Sequence, residues 1–295
     1  MPGRALAVKT MRRVDSPVPG KYGTSAVKIP VSDCVLHAEV HGAGGVPVVL
    51  IHGLGGCAAS WEGIAERLAA ERRTIVPDLR GCGASERGSL PYSLELLGDD
   101  VVAILEHAGV ERCHLVGHSL GGVVAQDVLT RYGGRIVSAV LVSTSSKVGE
   151  KASAAWRRLA DAVEAGGLEA TAEAQSRGFG ERFASTHPEV VARHADMTRR
   201  ADPKVYAEQA RAASSYDYTE ALENVRQPVL IVQGLADRLT SPGGSVIMSR
   251  ALPRAELWMV DDVGHNAHIE MGSAFVERLL GFFTAAEVEQ GAAPA

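Results

Sequence analysis

The chain has 295 residues, 46% of them apolar, enough to bury one large core with a smaller appendage. Its 30 Lys and Arg stand against 35 Asp and Glu, a formal charge of -5, so no global positive field draws it to nucleic acid or to an anionic membrane. That balance excludes the strongly basic binders of polyanions and favours a protein that acts on small molecules.

Residues 1–24 hold no apolar run of signal-peptide length and read as a loosely packed arm. No later run approaches the roughly 20 apolar residues of a membrane span, so no membrane partner and a cytoplasmic location are expected. Four cysteines, Cys34, Cys57, Cys82 and Cys113, are scattered without a zinc-type spacing, which predicts reduced thiols and no metal. Cys57 and Cys82 sit in glycine-rich loops, yet neither has an evident base, so neither is expected to be catalytic.

Val46 to Ile51 is a nearly continuous apolar run that reads as a buried parallel strand. Trp61, Ile64, Leu68 and Ala69 then fall at helical spacing, with Ser60 as the expected N-cap. Thr74 to Pro77 is a short strand, and Leu94 to His107 a helix whose Leu94, Leu97, Val101, Ile104 and Leu105 form one stripe. Cys113 to Gly117 is a strand, Leu120 to Arg131 a helix, and Ile136 to Val142 another strand. Alternation at this spacing implies a mostly parallel sheet covered on both faces.

The rhythm breaks over residues 144–225, where no convincing strand occurs and helices fit 151–165, 168–184, 188–200 and 203–214. Strands return at Pro228 to Gly234 and Ala255 to Val260, separated by a helix that starts near Ser241 and Pro242. A last helix over 272–284 presents Phe275, Leu279, Leu280 and Phe283 to the sheet, and the Gly-Ala-Ala-Pro-Ala tail is expected to fray.

The decisive local signal is Gly117-His118-Ser119-Leu120-Gly121, set between a strand and a helix. A serine on so sharp a turn takes a strained backbone and projects its oxygen away from the sheet, while the following helix directs free amides at the reaction centre. Ser119 is therefore the candidate nucleophile and the Leu120 amide one oxyanion donor. The second donor is expected from His52-Gly53-Leu54-Gly55-Gly56, through the Leu54 amide, because the flanking glycines let the main chain approach a carbonyl oxygen. That loop lacks phosphate-binding spacing, so no nucleotide cofactor is expected. His52 is expected to brace the loop by hydrogen bonding.

A serine hydroxyl needs an imidazole to take its proton and a carboxylate to hold the ring. Asp237, beyond the strand ending at Gly234, is the candidate acid, with Asp261 and Asp262 as rivals. His265, preceded by Gly264, is the candidate base, with His268 as its rival. In Asp78-Leu-Arg80-Gly81-Cys-Gly83-Ala-Ser85, Asp78 and Arg80 are expected to hold the loop as a paired network.

Together, HGLGG at 52–56, DLRGCGAS at 78–85, GHSLGG at 117–122, the late Asp237 and GH at 264–265 resemble the α/β-hydrolase superfamily over roughly residues 35–284. Within it the chain is similar to the group of bacterial carboxylesterases, 3-oxoadipate enol-lactonases and cofactor-free haloperoxidases. The resemblance implies an α/β-hydrolase fold with a core from 25–143 and 226–287 and a helical cap, 144–225, inserted after the sixth strand. It also implies Ser119, Asp237 and His265 as nucleophile, acid and base, with Leu54 and Leu120 as the oxyanion amides.

Leu54 stands where many members have an aromatic residue, which predicts a more aliphatic pocket wall. A serine at 119, rather than an aspartate, argues against dehalogenase and epoxide hydrolase chemistry. The expected function is cofactor-free hydrolysis of a small-molecule carboxylic ester or lactone through an acyl-enzyme. Alternatives are an enol-lactone or methyl-ester hydrolase of a catabolic or biosynthetic pathway, a carbon-carbon bond hydrolase, a thioesterase or amidase, a perhydrolase, and, last, a non-catalytic ligand-binding protein. Of the cap aromatics Trp156, Phe179, Phe183, Tyr206, Tyr216 and Tyr218, one or two are expected to meet substrate. Periodicity leaves the oligomeric state open, with a homodimer as the common default.

Overall fold

A computed structural model of the protein describes residues 23–291; the expected arm up to residue 22 and the last four residues of the tail lie outside the described residues. Eight strands form one sheet: β1 Thr24–Pro30, β2 Val35–His41, β3 Val48–Ile51, β4 Thr74–Asp78, β5 Cys113–His118, β6 Ile136–Val142, β7 Val229–Gly234 and β8 Ala255–Val260. Their order is β1-β2-β4-β3-β5-β6-β7-β8, with β1 and β2 antiparallel to their neighbours and every later pairing parallel. This is the mostly parallel sheet expected from the alternation of apolar runs and helices.

The helices are α1 Ile64–Leu68, α2 Leu94–His107, α3 Leu120–Arg131, α4 Glu150–Gly166, α5 Glu169–Ser176, α6 Glu181–Thr186, α7 Pro188–Arg199, α8 Pro203–Ala212, α9 Thr219–Leu222, α10 Pro242–Ala251, α11 Ala267–Met271 and α12 Ser273–Glu289. Alternate residues of the central strands face opposite layers because the pleat has a period of two. Val49, Leu115, Leu141 and Ile231 join Leu97, Val101, Leu105, Val124 and Val128 of α2 and α3 on one side. Leu50, Val116, Val140 and Leu230 join Leu68 of α1 and Phe275, Leu279 and Phe283 of α12 on the other. Burying each large side chain contributes about 1.5–3 kcal/mol, so the sheet is held rigidly from both faces and its loop ends are fixed in space.

Three sequence expectations change. Strands β1 and β2 carry no clear apolar run: β1 is the edge of the sheet and β2 lies next to it, and Ile29, Leu36 and Ala38 are their only deeply buried apolar residues, set among charged and polar neighbours. Ser60 is not a helix cap: it lies inside a 3-10 turn, Ala58–Trp61, and Gly63 at φ 78 reverses the chain before α1 begins. The single helix expected over 168–184 is two, α5 and α6, with Gly178 and Gly180 in the break. α4 to α9 form the helical insertion after β6, and among the described residues no helix is long and apolar enough to cross a membrane.

Candidate active site

β5 runs into Gly117 and His118, Ser119 takes φ 53 and ψ -116, and α3 starts at the next residue. A Cβ on Gly117 would overlap the Gly121 carbonyl, and one on Gly121 would overlap the backbone of Ile51, so strand, turn and helix close only without those side chains. Ser119 is partly exposed and lines a cavity of about 380 Å³. The Leu120 amide opens α3 and has no intrahelical acceptor. Leu54 lines the same cavity, its amide meets no acceptor among the described residues, and Gly53 passes so close that a Cβ there would sit 3.2 Å from Ser119 Cβ.

His52 braces this loop as expected: Nδ1 donates to the Gly53 carbonyl at 2.8 Å and Nε2 accepts the Leu79 amide at 3.0 Å. Burial pushes its pKa below the usual histidine value, in keeping with a neutral ring that uses both nitrogens for structure.

His265 also lines the Ser119 cavity, on the loop after β8. Its Nδ1 donates to Asp237 Oδ2 at 2.9 Å, which leaves Nε2 as the acceptor of the neutral ring. Asp237 is buried beyond β7 and saturated with donors. Oδ1 takes the Leu239 and Thr240 amides, each at 2.8 Å, and Oδ2 takes Gln233 Nε2 at 3.1 Å besides the imidazole. The rivals are elsewhere. Asp261 and Asp262 are exposed, and His268 is fully buried with its ring 4.4 Å from that of Trp61 and 4.5 Å from that of His118. Burial pushes the His268 pKa down to about 3.

The structure thus brings Ser119, His265 and Leu54 to one cavity wall, with Asp237 behind the imidazole and Leu120 next to the serine. It adds residues that sequence reading did not assign. Gln233 holds Asp237 and is itself fixed by Ser245 Oγ, which donates to its Oε1 at 2.8 Å. His118 Nε2 donates to the His265 carbonyl at 3.0 Å, with burial and its histidine neighbours keeping its pKa well below normal. The Gly178 carbonyl, in the break between α5 and α6, accepts the His265 amide at 2.5 Å.

Asp78 and Arg80 do not pair with each other, contrary to expectation. β4 ends in Asp78, whose carboxylate accepts the Ala58 and Ala84 amides at 2.6 and 2.9 Å and bonds His37 Nδ1 at 2.8 Å. Arg80 points the other way, forking onto Asp100 with two 2.8 Å bonds and reaching Asp33 at 2.7 Å. Each residue braces the loop through a separate network. The four cysteines are free, and burial pushes the Cys82 thiol up to about 12, which suits a packing role.

The wall opposite Ser119 comes from the cap: Trp156, Leu159 and Val163 of α4, Ala174 and Gln175 of α5, and Tyr206 of α8. Trp156 and Tyr206 are therefore the expected aromatics that reach the pocket, while Tyr216 and Tyr218 bond Ser145 and Asp127 instead. A larger cavity, about 630 Å³, lies between α7 and the loops at 55–63 and 81–83. It shares Gly56, Ser60 and His194 with the first but contains neither Ser119 nor His265, so the smaller cavity is the one that holds both the serine and the imidazole.

A family model described as alpha/beta hydrolase fold matches residues 46–271. The RutD protein of Variovorax paradoxus (strain S110), named as a carbamate hydrolase, is 31% identical over 253 residues, covering 84% of this chain and 95% of that protein. Among solved structures, the enol-lactonase from Burkholderia xenovorans LB400 has a TM-score of 0.80 at 25% identity, covering 85% of this chain and 97% of that one. The thermophilic esterase from Thermogutta terrifontis, solved with malate bound, has a TM-score of 0.82 at 27% identity, covering 89% and 99%. The expected resemblance to esterases and enol-lactonases is borne out, and with the family match running from β3 through α11 the chain belongs to the α/β-hydrolase fold family.

Proposed function

We propose that the protein is a serine hydrolase that cleaves a small carboxylic ester or lactone through an acyl-enzyme. One observation carries this reading: a serine on a strained strand-to-helix turn faces the same cavity as an imidazole whose far nitrogen is tied to a buried carboxylate. In the proposed cycle His265 Nε2 takes the Ser119 proton as Oγ attacks the carbonyl carbon. The oxyanion settles on the Leu54 and Leu120 amides, and Asp237 steadies the imidazolium. The proton passes to the leaving alkoxide, and water activated by the same imidazole then releases the acid. The cavity volume and its lining by Leu54, Leu159, Val163 and Leu239 favour a compact, largely apolar group beside the scissile bond.

The test is labelling by an active-site-directed phosphonate together with turnover of a panel of short acyl esters, lactones, methyl esters and thioesters. Wild type is expected to be labelled and to turn over esters or lactones, and S119A to lose both while keeping its fold. Unlabelled wild type, or S119A with undiminished turnover, would overturn the reading. The similarity to RutD supports a second substrate reading for the same residues, a carbamate, and a carbamate in the panel separates the two.

A further inference from the structure

Glu270 is a buried carboxylate, 4% exposed, and the proposed chemistry does not use it. Its partners are backbone amides from two distant parts of the chain. Oε2 accepts Gly180 of the cap at 2.9 Å and Gly264 at 3.0 Å, while Oε1 also faces the Gly264 amide at 3.1 Å. Gly264 immediately precedes His265, and Gly178, two residues before Gly180, accepts the His265 amide at 2.5 Å. The two backbones run in direct contact: a Cβ on Gly264 would overlap the Gly178 carbonyl, and a Cβ on Gly180 would overlap the Asp262 carbonyl. Gly178 and Gly180 lie where the sequence predicts an unbroken helix, so the interruption of the cap and its seat on the histidine loop are one feature.

We propose that Glu270 is a positioning residue for the His265 base: by holding the amides of Gly264 and Gly180 on one carboxylate, it locks the histidine loop to the docked cap. The proposal rests on the reading of Ser119, His265 and Asp237 as the reacting trio. A carboxylate kept from water is costly unless several donors converge on it, and charge-assisted bonds from rigid amides have the strength and direction to fix a loop. Burial raises the Glu270 pKa and the amides of Gly264 and Gly180 oppose the rise, as expected of a group held in place by the backbone around it. The side chain touches no part of the Ser119 cavity, so its effect on the reaction passes through the backbone.

Full-length wild type, E270A, E270Q and E270D are compared on one short acyl ester, with reactive serines counted by exhaustive phosphonate labelling so that kcat refers to labelled sites. For E270A, kcat per labelled site is expected to fall about 10- to 100-fold with KM within about twofold, because misplacement of a catalytic group by an ångström costs roughly this much. E270Q keeps a carbonyl oxygen that both amides can reach, and its kcat should return to within about fivefold of wild type. Should E270A not fold, E270D, with its oxygens withdrawn by one methylene, is expected to show the same selective fall in kcat. An unchanged kcat per labelled site in E270A or E270D, with loss confined to the labelled fraction or the melting temperature, would overturn positioning and leave the hydrolase reading intact. Wild type that is neither labelled nor active would remove the parent reading and this one with it.

Discussion

Replacing Asp237 with asparagine tests the geometry of the proposed base most sharply. Four donors converge on the carboxylate: the Leu239 and Thr240 amides on Oδ1, and His265 Nδ1 and Gln233 Nε2 on Oδ2. Only a group that accepts at both oxygens satisfies all four. An asparagine must turn its NH2 toward one pair. Facing the two backbone amides it would strand both, at about 1–3 kcal/mol each, and neither amide can change its role. Facing Oδ2's partners it meets a ring that can change, since His265 can move its proton to Nε2 and accept at Nδ1 instead, while Gln233 Nε2 loses one acceptor but keeps the Gly234 carbonyl at 2.9 Å. The second arrangement therefore wins and leaves Nε2 protonated, unable to take the Ser119 proton. Wrong-tautomer losses in such triads run to about 10⁴ in kcat, about 5.5 kcal/mol of barrier, and a fall of about 10³ to 10⁴ is expected in D237N. The assay is kcat and KM on a short acyl ester at pH 7 to 8, per phosphonate-labelled site, with circular dichroism as the folding control. A labelled, folded D237N within about tenfold of wild type would show that the carboxylate does not set the tautomer, and the reasoning would fall.

Two further predictions concern stability. Burial holds His114, between Ser138 and Glu287, near a pKa of about 4, and His268 near about 3, each against an ordinary value of 6.5. The native protein therefore leaves these rings neutral while the unfolded chain protonates them, so stability is fully present above pH 6.5 and declines as the pH falls toward 4. Each ring contributes up to about 1.4 kcal/mol per pH unit, and the raised pKa values of Asp100 and Glu270 soften the slope only at its acid end. Urea midpoints measured from pH 6.5 down to 5.5 should drop steadily; a flat profile would contradict the buried neutral state. Arg80→Leu strips the bidentate cation from buried Asp100 and should cost about 3–5 kcal/mol in urea unfolding; a loss under about 1 kcal/mol would mean that the loop does not depend on that fork.

Elements with a single physical cause were the ones legible in the sequence. β3 is wholly apolar, the apolar runs of β5, β6 and β7 are interrupted by no more than two polar residues each, and α2 carries an apolar stripe opened by Ser93, which accepts the Leu96 amide at 3.1 Å. The glycines around Ser119 announce a close crossing because no other residue fits there. β1 and β2 were harder, since the edge strand and its neighbour bury only part of their side chains and mix lysine, histidine and glutamate into the alternation. Tertiary contact decided the rest. Nothing local in residues 168–184 says that Gly178 and Gly180 will be pressed against Gly264, and helical propensity alone continues through them. Asp78 and Arg80 are two residues apart and opposite in charge, which invited pairing. The strand end turns them apart, so each finds partners that are distant in sequence. Gln233 and Glu270 gave no motif signal. Their importance is visible only once the donors around Asp237 and Gly264 are counted in three dimensions.

The break at Gly178 and Gly180 also bears on how specificity in this fold can be exchanged. Helices α4, α5, α7 and α8 of the insertion line the Ser119 cavity, and transplanting a foreign lid is an obvious route to a new specificity. Here the lid supplies part of the frame that carries the histidine, so its two glycines belong mechanically to the catalytic half of the chain. A chimera that swaps the flanking helices while leaving residues 178–180 native preserves that frame, and one that replaces the segment whole changes specificity and alignment together.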